Sequence, residues 1–179
     1  WQAQAEFINP ETMPVTRLVN VSLEITPGKR HELIAEARKY AGTDVLCYRD
    51  PEATALSRHQ TEHWDPVLAW AKSQGADLKA TDSVIAVTQA PKALDYVADY
   101  AARFDDLHLT LFVHLIAVFG SAVLAMAVME KHLSGLAAFE LSRLDATWQA
   151  KQWGEDEEAM EAAATLRAEI TALCRIIGD

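Results

Sequence analysis

Residues 107–129, LHLTLFVHLIAVFGSAVLAMAVM, are the stretch on which the reading of this fold turns. Its 23 residues include no Asp, Glu, Lys or Arg. Leu111, Phe112, Val113, Leu115, Ile116, Val118 and Phe119 would cover the whole circumference of a helix, not one face. A helix apolar all round is either the centre of a packed domain or a membrane span. At about 1.5 Å per residue it would be roughly 35 Å long, enough for either. His108, Thr110, His114 and Ser121 interrupt the run, and Asp105, Asp106 and Glu130 flank it without the basic cluster that orients a span. Ala117, Ser121 and Ala125 recur every four residues, which reads as a flat ridge for a close-packed neighbour; membrane helices use the same device. The rest of the chain decides for the packed centre, because it supplies amphipathic helices to bury this one. The expected fold is mainly α, a compact multi-helix domain around a long buried central helix, with one short β-hairpin.

Working outward, Pro14 and Pro27 suit the first turns of two helices, since proline's missing N–H is unpaired there anyway. Leu18, Val21 and Ile25 share a face of the first helix; Leu33, Ile34 and Ala37 give the second a stripe that Gly42 ends. Val45 to Tyr48 is a short apolar run of strand or extended character. Asp50-Pro51 opens a third helical pattern, which Asp65-Pro66 should break, because Pro66 cannot donate to the ladder. Leu78 to Val87 alternates and carries Asp82-Ser83 at its middle, the hairpin candidate. Pro91 opens another helix. Ser134 caps a helix expected over Gly135 to Gln152, and Gly154 interrupts before the last one. That helix begins at Glu155-Asp156-Glu157-Glu158, acids placed where the helix dipole is positive.

Composition narrows the function. Twenty-six acidic residues against 16 basic give a net charge of −10, which repels phosphate backbones and anionic lipid. Nucleic acid and membrane insertion are therefore not expected; a partner with a basic patch is. The 50% hydrophobic content suffices for one domain with a real core. Cys47 and Cys174 form no CxxC pair and read as buried thiols in a reducing compartment. The chain starts at Trp1 rather than Met, which reads as a single helical domain, 1–179, cut from a longer protein.

Catalytic motifs are thin. His59-Gln60-Thr61-Glu62-His63 matches the inverted zinc-peptidase pattern H-x-x-E-H, and on a helix His59 and His63 lie one turn apart on one face. The match needs a third ligand and a cleft, and the expected break at Asp65-Pro66 lies directly behind it. Two surface histidines are the simpler reading, and no metal, cofactor or catalytic residue is expected. His108 and His114 read as core histidines held by hydrogen bonds. Trp148 and Trp153, just ahead of the acid run, read either as an interface anchor with an acidic rim or as two rings closing the core at the helix end.

Two segments carry a family resemblance. The first is Tyr48-Arg49, Pro51-Glu52, Gln60 and Trp64-Asp65-Pro66-Val67-Leu68-Ala69-Trp70, preceded by Tyr40 to Asp44. The second, more specific, is Leu141-Ser142-Arg143-Leu144-Asp145, Trp148-Gln149 and Gln152 to Glu158. Together they resemble the assembly chaperones of the F1 part of ATP synthase that receive the free α subunit, called F1 complex assembly factor two in mitochondria and present in α-proteobacteria. The resemblance runs from Trp1 to about Glu158. His59 and His63 are not part of the family pattern. Family members carry a β-rich domain ahead of the position of Trp1.

The resemblance implies an ATP-independent chaperone, not an enzyme, that shields the β-facing surface of the α subunit of F1-ATPase. It implies a bacterial cytoplasmic or mitochondrial matrix location and a monomer. It puts partner binding on Glu157; the neighbouring Asp156 and Glu158 are the next candidates, and Trp153 and Trp148 join them from the tryptophan reading above.

Overall fold

The structure, a computed structural model, describes residues 9–52, 54–83, 85, 87–154 and 156–179. Among the described residues there are nine α-helices and no strand. They are α1 (Pro14–Glu24), α2 (Thr26–Ala41), α3 (Ala55–Gln74), α4 (Pro91–Ala102), α5 (Asp106–Phe119), α6 (Ala122–Met129), α7 (Gly135–Ser142), α8 (Leu144–Trp153) and α9 (Glu157–Cys174). Short 3-10 turns occur at Pro10–Thr12, Val45–Cys47 and Arg175–Ile177.

The apolar run is the buried centre, as expected, but it is two helices rather than one. Phe119-Gly120-Ser121 divides it. Gly120 takes the left-handed conformation at φ 63°, a position that favours glycine, and ends α5. Ser121 is extended, and its hydroxyl accepts from the Leu124 N–H at 3.0 Å, starting α6. The expected small ridge therefore does not form: Ser121 is a cap and Ala117 faces solvent. Leu115, Ile116, Leu124 and Met126 are fully buried. Burying such a side chain stabilises the fold by about 1.5–3 kcal/mol relative to exposing it. Around α5 pack α1, α2 and α6, with α4 against α2, α3 against α6, and α7 against α9.

Asp44 holds the centre to the neighbouring loop. It is fully buried, accepts from Leu46 N–H at 3.1 Å and from Val123 N–H at 3.0 Å, and so ties the Val45–Cys47 turn to the start of α6. Burial pushes its pKa up to about 6, against the hydrogen bonds that favour the carboxylate.

Three further expectations are corrected. α3 starts at Ala55, where the Thr54 hydroxyl caps it by accepting from Leu56 N–H and Ser57 N–H, and it runs unbroken through Pro66 to Gln74. Asp65 and Pro66 lie on its exposed side, where water can meet the carbonyl that proline leaves unpaired, while buried Trp64 and Val67 hold the helix to the core. The helix expected over Gly135 to Gln152 is two, divided at Arg143. No hairpin is found at Leu78 to Val87 among the described residues; Val84 and Ala86 lie outside them. What forms instead is a parallel bridge between Tyr48 and Thr81, made by Thr81 N–H to the Cys47 carbonyl (2.8 Å) and Arg49 N–H to the Thr81 carbonyl (2.9 Å). Buried Gln89 takes the role of a paired strand: its amide accepts from Lys79 N–H and donates to the Lys79 carbonyl.

Cys47 and Cys174 are buried, unlinked thiols, and burial pushes them up to about 12 and about 11, far from reactive thiolate. No described helix is long and apolar enough to cross a membrane.

Candidate client-binding site

The two segments that carry the resemblance are distant in sequence and meet in space. The Trp64 indole N–H donates to the Leu141 carbonyl at 2.9 Å. Gln60, also buried, donates to the Asp145 carboxylate at 2.9 Å and accepts from Asp50 N–H at 2.8 Å. Arg49 lies over the Trp64 ring at 4.9 Å, pairs with Asp65 at 2.7 Å and donates to the Leu46 carbonyl. These residues form a latch from the first segment and α3 to the α7–α8 junction. Each buried polar group in it has a partner, so the latch fixes geometry and is not free to engage a client.

What the latch positions is α8; past Gly154 the chain continues into α9, which packs on α7, α1 and α5. Gly154, at φ 99°, lets the chain turn sharply between them. Asp156 is the cap of α9: its carboxylate accepts from Glu158 N–H at 3.0 Å and from Ala159 N–H at 3.4 Å. Its expected partner-binding role thus competes with a structural one. Glu157 and Glu158 are exposed in the first turn of α9; Glu155 lies outside the described residues.

The two tryptophans are not side by side. Trp148 is half-buried, its ring 5.4 Å from that of His59 on α3. Trp153 ends α8 with 81% of its surface exposed. Five residues on a helix turn through roughly 500°, so the pair cannot share a face. Each lines its own groove. Trp148, with His59, His63 and Leu144, borders one of about 410 Å³ between α3 and α7–α8. Trp153 and Met160 line an open one of about 380 Å³ between α8 and α9, which Arg143, Lys151 and Asp156 also edge. Met160, 51% exposed, was missed in the sequence. Its one signal is a large apolar residue inside an otherwise acidic and small-residue first turn.

Comparison with known proteins follows the same outline. The family described as ATP12 chaperone protein matches residues 1–72. The crystal structure of Atp12 from Paracoccus denitrificans superposes with a TM-score of 0.92 at 37% identity, covering 99% of this chain and 76% of that one. This chain belongs to the ATP12 chaperone family. A proposed chaperone from Agrobacterium tumefaciens is also similar, with a TM-score of 0.92, 34% identity, and coverage of 99% and 67%. The structural match extends well beyond residue 72, through the latch and α9, so the ATP12 fold includes the candidate site. Relatives in this family are assembly chaperones, not enzymes, and the chain's chemistry is that of ATP synthase assembly by binding rather than catalysis. His59, Glu62 and His63 come together on α3.

Proposed function

We propose that this chain binds the free α subunit of F1-ATPase and covers its β-facing surface until β subunits replace the chaperone. It does so without nucleotide, as a single helical domain and a monomer, in a bacterial cytoplasm or mitochondrial matrix. One observation carries the assignment of the surface. Trp153 and Met160 stand exposed on opposite walls of one groove whose mouth bears charged groups of both signs, with Glu157 and Glu158 next to it. Solvating a tryptophan to 81% is wasteful unless something covers it, and tryptophan ringed by polar groups is a frequent interface anchor. A lone α subunit presents a large apolar patch prone to aggregation. A temporary cover should combine an apolar anchor with polar contacts, so that the bond is specific yet yields to the true partner.

The test is selectivity. Light scattering of α and β subunits, each diluted from denaturant with and without this chain, should show protection of α alone, weakened by Trp153→Ala. Equal protection of α, β and an unrelated denatured enzyme would sink the reading.

A further inference from the structure

We propose that His59, Glu62 and His63 form a binding site for one divalent transition-metal ion of the zinc type, beside Trp148. Read from the sequence, this motif lacked a third ligand and a cleft, and a helix break was expected behind it. The structure supplies the cleft, removes the break and brings Glu62 of the same motif within reach as the third ligand. α3 is continuous from Ala55 to Gln74, so the three residues keep helical spacing and share one side of one helix. One ligand-capable atom from each lies within 4.8 Å of the others. The groove of about 410 Å³ against α7 and α8 opens on the two histidines and leaves room for water to complete the coordination.

The hydrogen bonding sets the histidine for this task. His63 Nδ1 lies 2.9 Å from the His59 carbonyl oxygen. A carbonyl only accepts, so Nδ1 carries the proton and the lone pair of the neutral ring is on Nε2. Anchoring one ring nitrogen on a backbone carbonyl, so that the other is presented to a metal, is a common second-shell arrangement. The two imidazole rings are 4.2 Å apart, close enough for one ion to draw on both.

The donor set selects the ion. Two imidazoles and one carboxylate suit zinc, nickel or copper and suit magnesium poorly. The other charged groups on the groove are Glu140, already paired with Arg167 at 2.9 Å, and Lys151. Three protein ligands from a single helix leave an open coordination sphere, so the site should bind reversibly. Its ligands lie outside the Trp153–Met160 groove, which adjoins this one at Thr147 and Lys151, and the site does not depend on the client reading.

Calorimetric titration with ZnCl2 near neutral pH should show saturable binding of one ion per chain, with no matching signal from MgCl2. His59→Gln and His63→Gln should each abolish it, and Glu62→Gln should weaken it, while circular dichroism shows all three folded. NiCl2 should quench part of the tryptophan emission, and Trp148→Phe should remove that part. Absence of saturable zinc binding, undiminished binding in either histidine variant or in Glu62→Gln, or quenching unchanged in Trp148→Phe would each overturn the site.

Discussion

The indole N–H of Trp64, on α3, donates to the backbone carbonyl of Leu141 at the end of α7, 2.9 Å away and with the tryptophan wholly buried. The bond joins residues 77 positions apart. It decides what the family's most recognisable segments are for. They hold the α7–α8 junction against α3.

Trp64→Phe keeps most of the apolar volume and removes the donor. The Leu141 carbonyl is then left without this partner. Losing a buried hydrogen bond in this way costs about 1–3 kcal/mol, and the smaller ring adds a packing loss. Urea unfolding should show a lowered midpoint, with affinity for the client falling less than stability does. A midpoint shift below about 0.5 kcal/mol would mean that the latch is ornamental.

Gly135→Ala tests how closely α7 lies on α9. A Cβ at Gly135 would sit 2.5 Å from the Cys174 sulfur and 3.0 Å from Ile170 Cγ2. Overpacking a core typically costs about 1–3 kcal/mol. Truncating the neighbour as well, in Gly135→Ala with Cys174→Ala, should recover part of that loss, because the two changes share one space. Strict additivity of the two single changes in thermal or urea unfolding would show that the helices simply move apart.

Asp44 gives the fold a dependence on pH. Its pKa is raised by burial to about 6 from a model-compound value of 3.8. The folded state therefore holds this proton more tightly than the unfolded chain does. The stabilisation is complete below the unfolded pKa and is lost as pH rises through about 6. That difference corresponds to roughly 3 kcal/mol. Asp44→Asn cannot titrate. Its amide also turns a donor toward one of the N–H groups of Leu46 and Val123, at a cost of about 1–3 kcal/mol. The variant should be the less stable at pH 4, and the gap should narrow toward pH 7. Urea unfolding across that range checks it; a constant gap would show that Asp44 stays ionised throughout.

Much of the helical fold was legible because its signals are local. Pro14 starts α1 and Ser134 caps α7, each as its residue type dictates, and α2 ends at Gly42 as expected, though in a right-handed conformation that needs no glycine. The misses have physical reasons. Gly120-Ser121 is a C-terminal stop followed by an N-terminal cap, but inside an apolar run Ser121 reads as one step of a small-residue ridge with Ala117 and Ala125. Pro66 breaks a helix by local rules; here its solvent-facing position and the buried Trp64 and Val67 on either side outweigh the lost bond. Among the described residues of the expected hairpin, Lys79 is paired by the Gln89 side chain, which no alternation pattern encodes. At the candidate site, the acids and Trp153 could be singled out from the sequence. The assignment of Asp156 to capping required the start of α9, and that of Trp148 to another groove required the packing of α8 on α3.

The acids at the start of α9 divide the labour between stability and binding. Asp156 accepts from two backbone N–H groups of the first turn. Asp156→Ala should therefore cost about 0.5–2 kcal/mol of stability through the lost cap. Glu157 is exposed and is not that cap. Glu157→Lys removes a favourable interaction with the helix dipole and adds an unfavourable one, each worth about 0.3–1 kcal/mol. Stability should fall by roughly 2 kcal/mol at most, and a domain with about 5–15 kcal/mol in hand stays folded. If Glu157 meets a basic residue of the α subunit in a desolvated contact, the same change costs about 2–5 kcal/mol of binding. That is about 30-fold to several-thousand-fold in affinity. The expected result is a helical, cooperatively melting Glu157→Lys protein that no longer holds the α subunit, beside an Asp156→Ala protein that melts earlier yet still binds below its melting temperature. Circular dichroism melts and a binding titration on the same preparations decide it. Normal binding by Glu157→Lys would remove this acid from the interface, and its unfolding would make the residue structural.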